Sequence, residues 1–126
     1  MNSVMNIKRS QLELLAQHRD QLRKSPHLRW LFFEITDRCN LNCMHCGSNC
    51  SSEGSCLTID DIKAALRSVL QDKPMICLTG GEPMLHPAFF EIANCVSSMG
   101  FFWGMTTNAT LIDDAAAQKL REAGLS

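Results

Sequence analysis

The chain has 126 residues, 45% hydrophobic and 20% charged, with a formal net charge of −1. Those proportions fit one globular domain and exclude a disordered or fibrous chain. The charge balance gives no reason to expect nucleic acid, and no apolar run approaches the roughly 20 residues that cross a bilayer. The N-terminal stretch MNSVMNIKRSQLELL lacks a signal peptide's apolar core and cleavage site, so a cytoplasmic location is expected. Residues 8–24 read as a helix with Leu12, Leu15 and Leu22 on one side, ended by Ser25-Pro26. Lys8, Arg9, Arg19, Arg23, Lys24 and Arg29 crowd this region, which suits the solvated face of a surface helix; the alternative is a docking surface for a partner or peptide. Leu31–Thr36 suits a buried strand. Residues 37–57 show no hydrophobic period and read as one long loop, of the kind that is usually functional or disordered. Thr58 predicts an N-cap, and Ile59, Ile62, Leu66, Val69 and Leu70 give the following helix its apolar stripe. Met75–Thr79 is a second strand, broken by Gly80-Gly81-Glu82-Pro83. A helix is expected to begin near Pro87, carry Phe89, Ile92, Ala93, Val96 and Met99 inward, and stop at Gly100. Phe101–Met105 makes a third strand, followed by Thr106-Thr107-Asn108. Asp113 or Asp114 opens a last helix, which Gly124 ends.

A helix followed by three strand–loop–helix units predicts an α/β fold with a parallel sheet and right-handed crossovers. In such folds the functional loops lie at the C-terminal ends of the strands. The cysteine loop, the GGEP turn and the TTN turn each follow a strand, so all three are expected at one edge of the sheet and in one site.

The chain holds seven cysteines, an odd number, with three bunched in Cys39-Asn40-Leu41-Asn42-Cys43-Met44-His45-Cys46. Bunched thiols in a reducing compartment point to metal, not disulfides. Three thiolates from one C-x3-C-x2-C loop suit three corners of a cubic iron–sulfur cluster and leave the fourth iron open to a small molecule. The competing reading is structural zinc on Cys39, Cys43, Cys46 and Cys50. Zinc motifs usually draw two pairs from two knuckles, and this sequence has no second C-x2-C. Cys50 and Cys56 follow no recognised spacing. They either contact an auxiliary cluster, form a disulfide on handling or ligate nothing, and the last is favoured. Cys77 and Cys95 fall in a strand and a helix and read as small core-like residues, Cys95 half-buried at best. His18, His27 and His86 read as surface residues.

C-x3-C-x2-C after a first strand, worded "CNLNCMHC", with GGEP after a second, resembles the radical S-adenosylmethionine (radical SAM) superfamily over about residues 29–126. The resemblance implies a partial (β/α) barrel, of which about three β/α units are present. Residues 1–28 form an N-terminal helical extension and residues 29–126 the N-terminal portion of the radical SAM domain. It implies a 4Fe-4S cluster on Cys39, Cys43 and Cys46, with S-adenosylmethionine chelated to the open iron. One electron then splits the sulfonium into methionine and a deoxyadenosyl radical that abstracts hydrogen from a substrate. Gly80, Gly81, Glu82 and Pro83 are expected near the amino group of the methionine moiety. Thr107 or Asn108 lines the cofactor pocket or only makes ordinary turn contacts. His45, where the family usually has an aromatic residue, either neighbours the adenine or faces solvent. Ala109 departs from the family's common glycine, and alanine disfavours positive φ. A flavodoxin or ferredoxin is the usual electron donor. The wording of the cysteine loop resembles enzymes that modify peptides or mature haem and other cofactors, so a peptide or small-molecule substrate is expected. Three units fall short of the usual six or so. The chain is therefore expected to be a fragment with an exposed sheet edge, marginal and without assured activity alone. The alternatives are a non-catalytic cysteine-ligated metal module and an inactive fragment.

Overall fold

In the computed structural model, residues 2–126 are described, with side chains from Ile7 onward. The elements are α1 (Asn2–Lys24), β1 (Trp30–Thr36), α2 (Ile59–Ser68), β2 (Met75–Gly80), a 3-10 turn (Pro83–Leu85), α3 (Phe89–Ser98), β3 (Trp103–Met105) and α4 (Asp114–Glu122). The three strands are parallel in the order β1-β2-β3, with Phe33 beside Leu78 and Leu78 beside Met105. This is the α/β arrangement the alternating pattern predicts.

Strand alternation sorts the two faces of the sheet. Phe33, Ile35, Ile76, Leu78 and Trp103 pack with Ile62 and Leu66 of α2, Ile92 and Val96 of α3 and Leu120 of α4. The other face carries Trp30, Phe32 and Glu34, all exposed, with the Trp30 and Phe32 rings stacked at 6.3 Å. Cys77, paired with Phe32 in register, is buried in the sheet, and Cys95 is half-buried in α3. The buried indole of Trp103 is satisfied: its N–H donates to Ser97 Oγ (2.9 Å) and the Ala123 carbonyl (3.2 Å).

The helix starts follow their caps. Thr58 and Asp61 form a reciprocal capping box on α2, and Asp113 accepts the Ala116 N–H at the start of α4. Gly100 and Gly124 stop α3 and α4 at positive φ (78° and 89°).

Four features depart from the sequence expectation. First, α3 begins at Phe89, because residues 83–85 make a separate 3-10 turn capped by Glu82. Second, β3 is short: the Phe101 N–H bonds the Val96 carbonyl and closes α3 instead of entering the sheet. Third, His86 is not a surface residue. It is 5% exposed, its Nδ1 accepts the Ala88 N–H (3.0 Å), and Nε2 therefore carries the proton toward the Leu57 carbonyl (2.8 Å). Fourth, two leucines of the expected α1 stripe are not packed: Leu12 and Leu15 are 66% and 64% exposed, while Leu22 is half-buried.

The sheet edges are also less bare than expected. Residues 55–57 run back along the outer side of β1, with Leu57 N–H to the Ile35 carbonyl (2.9 Å) and Asp37 N–H to the Ser55 carbonyl (3.2 Å). At the other side Leu125 bridges Trp103 in parallel, and Ser126 N–H bonds the Trp103 carbonyl (3.1 Å). No described helix is long and apolar enough to cross a membrane.

Candidate metal and cofactor site

β1 ends at the buried Thr36, and the chain enters the cysteine loop directly. Cys39 is half-buried there, while Cys43 and Cys46 are exposed on a turn closed by Cys46 N–H to the Cys43 carbonyl (3.1 Å). His45 sits exposed on the same turn. The far half of the loop is folded back against its start. Cys39 N–H bonds the Ser51 carbonyl (2.9 Å), Ser51 N–H bonds the Asp37 carbonyl (3.1 Å), and Arg38 Nε donates to the Gly54 carbonyl (2.6 Å). Thr36 Oγ1 donates to the Ser55 carbonyl (2.8 Å) and lies 3.1 Å from Cys56 Sγ. A segment with no hydrophobic period is thus ordered by backbone pairing to β1's continuation.

The GGEP turn closes on this segment. Gly81 N–H bonds the Thr36 carbonyl (2.9 Å) and Glu82 N–H the Arg38 carbonyl (2.7 Å). Gly80 has φ 147°, open to glycine and few others. A Cβ on Gly81 would collide with the Arg38 carbonyl and stand 2.9 Å from Cys39 Cβ. The close approach this glycine permits is therefore that of the protein's own chain, one that fixes the first cysteine. Gly81→Ala is expected to displace Cys39 and cut iron uptake severalfold in anaerobic reconstitution. Gly47→Ala, on the same loop with nothing within 4 Å of its Cβ position, should load normally. Equal iron content in the two variants would remove this role.

Glu82 joins the turn to the third strand end. It is completely buried; its carboxylate accepts the Thr107 hydroxyl (2.9 Å to each oxygen), the Asn108 N–H (2.8 Å) and the Met84 N–H (3.2 Å). Both oxygens are engaged inside the protein, which leaves the turn's backbone and the Thr107–Asn108 corner as the surface open to a ligand. Asn108 continues the chain of contacts: its Nδ2 donates to Asn40 Oδ1 (2.9 Å), and Asn40 Nδ2 donates to Thr110 Oγ1 (2.8 Å). The turn, the third strand end and the cysteine loop are thus one connected network. Ala109 takes φ 62°, held there by its N–H to Thr107 Oγ1 and by Thr110 N–H to Asn108 Oδ1, at a cost of about 1 kcal/mol for a residue with a Cβ. Asn40 was not singled out from sequence. Its place next to Cys39 was the available signal.

The donor chemistry fits an iron–sulfur cluster. Cys39, Cys43 and Cys46 are free thiols, the ligand type such clusters take, on a loop open to solvent at the C-terminal edge of a parallel sheet. Among the described residues no three His, Cys, Asp or Glu side chains stand at metal-ligand separation, so a metal held by the three thiols would require the loop to close around it. Burial, and then the neighbouring Cys46 and Cys39, raise the Cys50 thiol's pKa above its ordinary value.

Residues 33–126 match the model of the radical SAM superfamily. The chain belongs to the radical SAM superfamily. Radical SAM relatives include the AdoMet-dependent heme synthase of Methanosarcina barkeri, 39% identical over 100 residues, which cover 77% of this chain and 29% of that protein. The tungsten-containing aldehyde ferredoxin oxidoreductase cofactor-modifying protein of Pyrococcus furiosus is 33% identical over 102 residues, covering 78% and 29%. Streptococcus suis SuiB bound to S-adenosylmethionine superposes with TM-score 0.64 at 21% identity, over 86% of this chain and 27% of that one; SuiB bound to its precursor peptide SuiA gives 0.65 at 20% identity, over 86% and 26%. The chain spans less than a third of the length of these radical SAM relatives. The family uses a 4Fe-4S cluster and S-adenosylmethionine. The three parallel strands and their helices match a partial radical SAM β/α fold.

Proposed function

We propose that this chain is the cofactor-binding N-terminal portion of a radical SAM enzyme that modifies a peptide or matures a cofactor. One observation carries the reading: the three-thiol loop, the GGEP turn and the TTN corner share one sheet edge and are tied together by Gly81 against Cys39 and Glu82 against Thr107. Cys39, Cys43 and Cys46 hold the 4Fe-4S cluster. When bound, the cluster supplies the electron that splits S-adenosylmethionine into methionine and a deoxyadenosyl radical for hydrogen abstraction.

The chain's own residues bind and orient. The backbone of Gly80–Pro83 faces the methionine moiety's amino group, where carbonyl oxygens suit an ammonium. Glu82 acts at this site by fixing Thr107 and Asn108, which border the pocket. His45, exposed beside Cys46, offers a flat ring for the adenine. A flavodoxin or ferredoxin brings the electron to the exposed side of the loop. The substrate class draws support from two directions: the relatives' names speak of heme and cofactor synthesis, and the fold neighbour SuiB was crystallised with a precursor peptide.

The test is product formation by the reconstituted, dithionite-reduced protein. The reading expects methionine and 5′-deoxyadenosine in equal amounts, and neither from the Cys43→Ala variant. A cluster-loaded protein that leaves S-adenosylmethionine intact under these conditions would contradict it.

A further inference from the structure

The net charge of −1 conceals a division along the chain. Residues 1–29 carry Lys8, Arg9, Arg19, Arg23, Lys24 and Arg29 against Glu13 and Asp20, a formal +4, while residues 30–126 carry six Lys or Arg against eleven Asp or Glu, a formal −5. The basic part is α1, and its residues are sorted by face. At about 100° per residue, Ile7, Leu14, Leu15 and Leu22 fall within about 100° of arc, Lys8 and Arg19 border that arc, and Glu13 and Asp20 stand on the far side. Ile7, Leu14 and Leu15 are each more than half exposed. A second apolar surface lies open on the sheet. Trp30 and Phe32, also more than half exposed, stack on the face that carries Glu34. Their neighbours in register, Met75, Cys77, Thr79 and Gly104, are uncharged, so Glu34 is the single charge among the strand residues of that face. The ion pairs among the described residues all lie within α1 and do not include Glu34.

The two surfaces match in spacing and in sign. One helical turn from Leu15 to Arg19 rises about 6 Å, and two strand residues from Phe32 to Glu34 rise about 6.6 Å. A helix laid along β1 in the strand's own direction therefore sets Leu15 over Phe32 and the Arg19 guanidinium over the Glu34 carboxylate. Arg19's present contact, 3.7 Å to Asp20, is an exposed one of little strength. A chain's own α1 cannot lie that way. Lys24 would stand about 13.5 Å beyond Phe32 and Trp30 about 6.6 Å before it, a separation of about 20 Å along the strand, to which a packed layer adds its depth of about 10 Å. Six residues span at most about 21 Å fully extended. The link is shorter than that, because Ser25 N–H still bonds the Gln21 carbonyl and the Arg29 carbonyl already accepts the Met75 N–H (2.8 Å). Run the other way, as its own link permits, α1 with Leu15 over Phe32 sets the uncharged Gln11 at Glu34.

We infer that this chain forms a two-fold dimer in which α1 of each copy lies across the Trp30–Phe32 face of the other, with Arg19 of one copy against Glu34 of the second. Apolar burial supplies the drive, and the charge pair fixes direction and register. Reciprocal exchange closes the assembly at two copies and sets each basic arm on an acidic body. The covered residues lie on the N-terminal half of β1. The cysteine loop, the GGEP turn and the TTN corner, at the other end of the strands, stay open.

The experiment measures mass by sedimentation equilibrium on the full metal-free chain, 14.1 kDa as a monomer, and follows Trp30 by fluorescence, Trp103 being already buried. Three further proteins carry Arg19→Glu, Glu34→Lys or both. Both positions are exposed, so their thermal midpoints are expected to match the wild type's. The wild-type chain is expected to reach twice the monomer mass as concentration rises, with Trp30 emission moving to the blue. Each single variant should dissociate severalfold more readily, because like charges then meet. The double variant should regain the dimer. So should a mixture of the two single variants, in which each arm again finds the opposite charge on the other copy. A wild-type chain that stays monomeric at every concentration read overturns the inference. So does a dimer whose strength ignores both charge reversals, since another surface would then hold it. Blue-shifted Trp30 emission restored in a monomeric double variant but not in the mixture also overturns it, because each face would then be covered by its own arm. None of these readings depends on the cluster.

Discussion

Replacing Cys39, Cys43 or Cys46 singly with alanine is expected to abolish the reconstituted cluster, against about four irons and four sulfides per wild-type chain. In the assignment each of the three supplies the ligand for one corner of the cluster. Cys77→Ala and Cys95→Ala should load fully, because Cys77 is buried in the sheet 3.5 Å from Thr106 Oγ1 and Cys95 lies in α3 beside Met99. The loss must come from ligation and not from unfolding. Cys43 and Cys46 are exposed, and substitutions at such places move stability by only about 0.5 kcal/mol either way. The metal-free Cys43→Ala and Cys46→Ala chains should therefore unfold at the wild-type midpoint in a thermal scan. A single variant of the three that retains a complete, stable cluster would contradict the assignment.

Glu82→Ala is expected to act the other way, on the fold first. Its carboxylate is the acceptor for the Thr107 hydroxyl and the Asn108 and Met84 amides, and it has no exposure to water. Each donor left without a partner costs about 1–3 kcal/mol, and the vacated volume adds to that. A total of at least about 3 kcal/mol for the three donors is a large part of the roughly 5–15 kcal/mol that holds a domain of this size. The thermal midpoint of the metal-free chain should fall by about 10 °C or more. Glu82→Gln, which keeps the shape but turns an amide toward donors, should lie between. In the fraction that remains folded, S-adenosylmethionine should bind more weakly, because Thr107 and Asn108 lose the anchor that fixes them at the pocket border. A Glu82→Ala chain with wild-type midpoint and wild-type cofactor affinity would show that the network carries neither load.

Much of this was legible in the residues. The strands and helices followed from hydrophobic period, and Thr58, Asp113, Gly100 and Gly124 marked element ends by local chemistry that needs no tertiary context. The cysteine spacing and the GGEP turn pointed to the site because short motifs carry their own geometry. What was not legible depends on contacts between distant segments. His86 reads as an ordinary polar residue until residues 55–57 fold back along β1 and offer it the Leu57 carbonyl. Gly81 reads as a ligand-facing glycine until Arg38 and Cys39 are found against it. Asn40 lies inside the cysteine motif, but its role depends on Asn108 and Thr110, some 70 residues away (sequence separations of 68 and 70). Cys50 follows no spacing rule; only the backbone pairing of Ser51 with residues 37–39 places it. Leu12 and Leu15 of α1 stand exposed, because periodicity states which face is apolar and not what lies across it.

The most direct test is spectroscopic and requires no knowledge of the substrate. The chain is reconstituted without oxygen, its cluster is reduced, and the electron paramagnetic resonance spectrum is recorded before and after S-adenosylmethionine is added. The account predicts a four-iron cluster whose signal shifts with saturable dependence on S-adenosylmethionine. An unchanged signal at saturating concentration, or a chain that takes up zinc in place of iron, would contradict it.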